Sequence, residues 1–183
     1  MALISAKTIL TSLCLFHITL GYFFFTSPRS IADQALVYIL GEAMGMPQTT
    51  AFNTPTPTTS LLALLLLIFG LSDILTLSLP EEIWLVHHWA AQAPLRVLLF
   101  SLLTVVTFLT TPRGSRLGSG RPVPLQRGAF QDGGGWDGLR NRVFFTLAFV
   151  EMMSWFWVWV TLREETRSFV VRKRRRSSTH SRN

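Results

Sequence analysis

The sequence has a single cysteine, Cys14, which excludes any disulfide within the chain. It has no Asn-x-Ser/Thr acceptor: Asn53 is followed by Thr54 and Pro55, and Asn141 by Arg142 and Val143. Glycosylation therefore says nothing about compartment. Catalytic signatures are missing as well. There is no His-Glu-x-x-His, no Cys-x-x-Cys, no phosphate-binding loop and no Gly-x-Ser-x-Gly. Gly133-Gly134-Gly135 lacks the strand and helix that a phosphate loop needs. His87 and His88 have no third ligand nearby and read as facing headgroups and water rather than a metal. No cofactor is implied, and no catalytic residue is assigned. Internal repeats are absent, and the alternating segments are too few for a β-barrel.

What is present is apolar sequence in long blocks. Hydrophobic residues make up 49% of the 183 residues, a share that a soluble protein can also have. Their distribution decides, because they run unbroken instead of recurring at amphipathic spacing. Four blocks have the roughly 20 residues that cross a hydrocarbon core as a helix. They are residues 8–25, 61–79, 91–111 and 143–162. The first is long for a secretory signal and ends in Tyr22-Phe23-Phe24-Phe25 instead of a small-x-small cleavage site, so it reads as an uncleaved span. Leu61 to Phe69 is the clearest membrane signal. Open strands would leave backbone groups unsatisfied in lipid, so helices are the physical default. The expected fold is all-α: an integral membrane bundle of four transmembrane helices plus one interfacial amphipathic helix.

That extra helix is expected over Ser30 to Met46, where Ile31, Ala35, Leu36, Ile39, Leu40 and Ala43 recur at helical spacing. Packing on the bundle edge is the other reading. Ser30 with Asp33 resembles a capping box. Residues 48–60, with Pro55, Pro57 and several threonines, read as a loop. Residues 81–89 read as a short turn whose Trp84 and Trp89 suit the interface. Pro94 is expected in the first turn of the third span. The Trp155-Phe156-Trp157-Val158-Trp159 run reads as an interfacial aromatic belt. Residues 1–171 form one membrane domain, interrupted by a Gly/Arg-rich loop at 112–142 that is expected to be poorly ordered. Residues 172–183 read as a basic, disordered tail.

The net charge of +7 is concentrated beside the apolar blocks, which points to topology and lipid headgroups before nucleic acid. Four spans put both termini on one side. That side carries ten Lys and Arg residues against seven on the other, a bias toward cytosolic termini. Arg172, Lys173, Arg174, Arg175 and Arg176 form a cluster suited to anionic headgroups. The cluster also contains an arginine-x-arginine pattern of the type used for endoplasmic reticulum retention. The bilayer, its anionic headgroups and a possible membrane-protein partner are the expected partners, with no direct contact to nucleic acid.

Ionisable residues inside spans are costly, and each is a candidate site. Four qualify: His17, Asp73, Arg96 and Glu151. Asp73 and Arg96 lie equally far from the turn near Trp84 and Leu85, so an ion pair between adjacent antiparallel helices is expected there. Such a pair lowers the cost of burying either charge. Gly70 and Ser72 would allow those helices to approach closely. Glu151 and His17 fall near the middle of their spans. Glu151 has no assigned basic partner, because Arg96 is expected to sit at a shallower level.

Five short segments resemble, in order, a fungal family of membrane proteins named for increased loss of mitochondrial DNA. They are Glu42-Ala43-Met44-Gly45-Met46-Pro47, Gly70-Leu71-Ser72-Asp73, Pro94-Leu95-Arg96, Phe149-Val150-Glu151 and Leu162-Arg163-Glu164-Glu165. The resemblance implies a small multi-pass protein of the endoplasmic reticulum, linked to mitochondrial genome maintenance. It implies no molecular activity. The long Gly/Arg loop and the short basic tail depart from the family pattern. The resulting expectation is a non-enzymatic membrane factor. The rivals are a lipid- or sterol-handling protein or isomerase using Asp73 and Glu151, and a small ion or proton pathway.

Overall fold

A computed structural model describes residues 5–110 and 138–180, with side chains in the last helix as far as Arg172. The loop expected at 112–142 lies almost wholly outside these residues. Every regular element described is helical. They are α1 (Ala6–Thr26), α2 (Pro28–Ala32), α3 (Ala35–Ala43), α4 (Pro57–Thr76), a π-helical turn (Ile83–Trp89) that runs into α5 (Ala90–Thr110), and α6 (Arg142–His180). Among the described residues four helices are long and apolar enough to span a membrane: Ala6–Thr26, Pro57–Thr76, Ile83–Thr110 and Arg142–Arg172.

Local chemistry explains the boundaries. Ser5 caps α1 by accepting from the Thr8 amide. The Glu165 carboxylate accepts from the Ala6 amide at 2.7 Å. A carboxylate there also opposes the positive end of the helix dipole. The α4 helix starts earlier than residue 61 because Thr56 and Thr59 form a reciprocal capping box and Pro57 takes the first helical position. The expected turn at 81–89 is instead helix. Its wide π turn lies directly upstream of Pro94, whose ring crowds the carbonyl of residue 90. Pro94 is therefore inside a longer helix rather than in its first turn. Several hydroxyls on the spans bond back to carbonyls four residues earlier, as in Thr19 to Leu15 and Thr104 to Phe100. Their polar atoms are thus satisfied without water.

Two stretches differ from the sequence expectation. The helix at 30–46 is split into α2 and α3, because Gln34 is extended (φ −64, ψ 136) between them. Ser30 lies within α2, and Asp33 ends it while pairing with Arg29. The outer face of α3 carries Leu36, Tyr38 and Ile39, all exposed, and its inner face buries Val37. The basic stretch at 172–180 continues α6 as helix instead of lacking order. No Gly or Pro interrupts it, and its Arg and Lys residues are good helix formers. At about 1.5 Å per residue, the 39 residues of α6 span about 58 Å, well beyond a hydrocarbon core of about 30 Å.

The helices pair as two hairpins. The antiparallel α1 and α4 cross closely at two glycines. A Cβ on Gly70 would stand 2.9 Å from the Cys14 carbonyl oxygen, and one on Gly21 would stand 2.9 Å from that of Ala63. Gly70 therefore serves the contact with α1, not the expected approach to α5, and Ser72 is exposed. The second pair is α5 with α6. The α4 and α5 backbones rarely approach each other, although the helices are consecutive in sequence, and the two are joined through the Asp73 and Arg96 side chains. One apolar core gathers Leu10, Trp84, Leu85, Trp89 and Trp155 at the end that holds the N-terminus of α1. A second gathers Phe24, Ile31, Val37, Ala63 and Val143 at the opposite end. Outward faces stay apolar, as at Leu64, Ile68, Leu98 and Leu102, in keeping with a lipid surround.

The topology has a direct check. Cysteines introduced at Ser5, Glu81 and Ser168, all exposed positions, are expected to label from one side of the membrane. Thr50→Cys is expected to label from the other. The native Cys14 is buried and adds little background. Labelling of position 50 together with position 5 would contradict four spans.

Candidate functional site

The four intramembrane ionisable residues meet in one connected chain of contacts. Arg96 on α5 donates from Nη1 to Asp73 Oδ2 at 2.7 Å and from Nη2 to Asp73 Oδ1 at 3.1 Å. This is the two-pronged geometry a guanidinium makes best with a carboxylate. The pair expected from hairpin symmetry is therefore present, on a ladder that places Asp73 near the end of α4 and Arg96 near the start of α5. Asp73 is buried and Arg96 mostly so.

The far side of the Arg96 guanidinium is aromatic. Its carbon lies 4.4 Å from the Trp155 ring centroid and 5.2 Å from that of Trp89. The two indoles stack, with centroids 5.5 Å apart and planes at 18°. Tryptophan faces attract a desolvated cation through their quadrupole. Trp84, Trp89 and Trp155 are all buried, so none of them belongs to an interfacial belt. Trp157 and Phe156, on the opposite side of α6, are exposed and keep that role open. Residues 155 and 157 point to nearly opposite faces of one helix, which a run read as a block conceals.

Trp155 links the cation to the deeper acid. Its Nε1 donates to Glu151 Oε2 at 2.9 Å, one turn earlier on α6. The other oxygen, Oε1, lies 2.7 Å from His17 Nε2 on α1. Both His17 and Glu151 are buried. With Glu151 ionised, His17 Nε2 is the donor. Glu151 is thus not without a basic partner, as it stood in the sequence reading. The chain of contacts runs Asp73, Arg96, Trp155, Glu151, His17, and so touches α4, α5, α6 and α1 in turn. Among the described residues, the buried His17 Nδ1 of this chain has no hydrogen-bond partner.

Beside the chain lies a cavity of about 390 Å³, bordered by all four spans. Its walls are apolar except for His17, Arg96 and Glu151. Leu20, Leu62 and Leu147 reach it from one core, and Phe100 and Trp155 from the other. Asp73 does not line it. Among the described residues no three His, Cys, Asp or Glu side chains converge as a metal site would require. Arg172 is exposed, and the side chains of Lys173, Arg174, Arg175 and Arg176 lie outside the described residues.

A second polar joint closes the opposite end. The Arg142 guanidinium pairs with Glu42 and donates from Nε to the Met46 carbonyl at 2.9 Å, while its own amide donates to the Pro47 carbonyl at 3.2 Å. Gly45 makes this possible with φ 65, a left-handed conformation that favours glycine. The Met46 amide then bonds the Gly41 carbonyl and the Gly45 amide bonds that of Glu42, a Schellman closure of α3. Sequence reasoning did not find this clamp. The Glu42-to-Pro47 segment was its one signal.

Each of the five segments quoted above therefore supplies an interhelical contact: the Glu42 and Gly45 clamp, Gly70 and Asp73, Arg96, Glu151, and the Glu165 cap. Fold and site together define a polytopic α-helical membrane protein whose spans are joined by buried hydrogen-bonded pairs. The chain belongs to the family described as increased loss of mitochondrial DNA protein 1, whose family model matches residues 4–172. Among curated proteins and among solved structures, no match was found.

Proposed function

We propose that this chain is a non-enzymatic, multi-pass protein of the endoplasmic reticulum membrane that supports mitochondrial DNA maintenance from outside the mitochondrion, with cytosolic termini. Family membership supports the mitochondrial link. The non-enzymatic reading is carried by one observation: the four intramembrane residues His17, Asp73, Arg96 and Glu151 are all engaged with one another or with Trp155 in one chain of contacts. Both oxygens of Asp73 are taken by Arg96, and both oxygens of Glu151 by His17 and Trp155. Such pairing lowers the cost of charge in lipid and fixes which helices adjoin. The Glu165 contact to Ala6 supports termini on one side, and the Arg/Lys bias supports the cytosol as that side.

A lipid-handling role is the second reading, and the cavity beside Glu151 favours it over an ion pathway. An isomerase using Asp73 and Glu151 together finds less support, because Asp73 does not reach that cavity.

The basic end of α6 serves location and headgroup contact in this account. Each basic residue beside an anionic leaflet contributes on the order of 1 kcal/mol, screened by salt. The test images a tagged chain in cells lacking their own family member and follows the loss of mitochondrial DNA. The wild-type chain is expected in the endoplasmic reticulum, with mitochondrial DNA retained. Replacing Arg172 to Arg176 with glutamine is expected to leave retention intact wherever the protein stays in that membrane. A correctly located variant that loses mitochondrial DNA like the null strain contradicts this role for the tail. A wild-type chain found in mitochondria contradicts the location.

A further inference from the structure

We propose that Ser177 and Ser178 are phosphorylated by an arginine-directed serine kinase of the cytosol, and that the phosphate releases the end of α6 from anionic headgroups. This modification site rests on the cytosolic termini and the headgroup contact proposed above.

The sequence singles out these two serines. They follow Arg172-Lys173-Arg174-Arg175-Arg176. Ser177 has arginine one, two and three positions upstream, and Ser178 has arginine two, three and four positions upstream. A kinase that selects such sites holds those arginines on carboxylates beside its cleft, where a guanidinium makes charge-assisted, two-pronged bonds. The other serines at this end lack the pattern. Ser168 has Glu165 and Glu164 three and four positions upstream, where the arginines would stand. Ser181 follows Ser178-Thr179-His180.

The structure sets the two serines clear of the bilayer. Leu162 is buried, while Arg163 and Glu164 are exposed, which marks where α6 leaves the apolar part of the bundle. From there α6 continues as helix to His180. Ser177 thus stands about 21 Å further along the helix, at about 1.5 Å per residue. A headgroup layer is only about 5–7 Å deep. Residues 177–180 are the last turn of α6, and their carbonyls have no acceptor role within the helix. Ser, Thr and His also hold a helix less well than Arg and Lys. This turn opens at small cost and can enter a kinase cleft as an extended segment.

The same geometry makes the contact of this end with a leaflet sensitive to charge. Phe169 is the last apolar side chain of α6 packed on the core, and Val170 and Val171 are exposed. After Val171 the sequence has no apolar residue, so residues 172–180 are drawn to a leaflet by charge alone. In the modification the serine hydroxyl oxygen attacks the γ-phosphorus of ATP. The new bond forms as the bond to the ADP oxygen breaks, and the hydroxyl proton passes to the kinase's aspartate base. Each phosphate brings about −1.5 to −2 charges at pH 7. Two of them offset most of the charge on Arg172 to Arg176. A phosphate there also meets the negative end of the helix dipole, which keeps the last turn open.

The first test purifies the full chain from cells that express it, with phosphatases inhibited, and cleaves after Glu165 for mass spectrometry. Phosphate is expected on Ser177 or Ser178 and not on Ser168 or Ser181. Replacing Arg174 and Arg175 with alanine is expected to remove it. The second test places the full chain in phosphatidylserine nanodiscs, with a fluorophore on Asn183→Cys and an acceptor dye on the lipid. An arginine-directed kinase with ATP is expected to lower the ratio of bound to released tail by roughly tenfold or more. A chain carrying Ser177→Ala and Ser178→Ala is expected to stay bound, with the wild-type melting temperature. Absence of phosphate from a chain whose position 168 labels from the cytosol would overturn the proposal. So would phosphate spread evenly over the four serines, or a phosphorylated tail that stays on the discs. A tail that ignores the discs before phosphate is added overturns the headgroup contact itself. Labelling of position 168 from the lumen overturns the cytosolic termini, and in either case this site falls with them.

Discussion

Arg96→Ala is expected to abolish accumulation of the folded protein. The substitution strips Asp73 of both hydrogen bonds and leaves a buried carboxylate among apolar helices. Removing one partner of a buried pair costs about 3–5 kcal/mol, a large part of the roughly 5–15 kcal/mol that holds a small domain together. The same change deprives the Trp89 and Trp155 faces of their cation. Arg96→Lys keeps the charge but loses the fork, and an intermediate level is expected. The measurement is the amount of protein in the membrane fraction and its melting temperature in detergent. Wild-type values for Arg96→Ala would mean that Asp73 and Arg96 hold nothing together.

Glu151 carries the second large effect, and two substitutions separate its possible roles. Glu151→Leu takes the acceptor from the Trp155 N–H and from His17 Nε2 at once. Each buried group left unpaired costs about 1–3 kcal/mol. A fall in melting temperature and in protein level is expected. Glu151→Gln behaves differently. Its oxygen still accepts from Trp155, and its amide donates to His17 Nε2 once the imidazole proton moves to Nδ1. Near-wild-type accumulation and full retention of mitochondrial DNA are expected for that variant. A glutamine variant that accumulates normally but fails to retain mitochondrial DNA would make Glu151 a working acid and not a joint.

The contrast between these two pairs shows what a sequence can carry. Asp73 and Arg96 sit on helices joined by a short connection, so counting outward from the turn fixes their relative depth. His17 and Glu151 sit on the first and last spans, 134 positions apart. Their similar depth was legible, but depth does not say which helices adjoin. The aromatic bridge was hidden for a related reason. Trp155 lies four residues after Glu151, on its face, yet it stands in a run whose neighbours face outward. Four spans were legible because each is an unbroken apolar block of the required length. The helical continuation of α6 was not, because charge density reads as a tail while the same residues have high helix propensity. The split at Gln34 and the π turn before Pro94 rest on backbone choices made by packing, which periodicity does not encode. Gly70 was legible as a point of close approach, but its partner is Cys14 on α1 and not α5.

Exchanging the two charges, Asp73→Arg with Arg96→Asp, tests most directly whether the buried pairs are scaffolding for a non-enzymatic membrane factor. The measurement is retention of mitochondrial DNA, scored together with protein level in the membrane, in cells carrying only the exchanged chain. Scaffolding requires that the double variant recover much of what each single alanine change loses, because the attraction between the positions is kept. Restored protein level with restored retention is the expected result. An exchanged chain that accumulates at the wild-type level, yet loses mitochondrial DNA as fast as cells without the protein, would contradict the account and make Asp73 and Arg96 a working site.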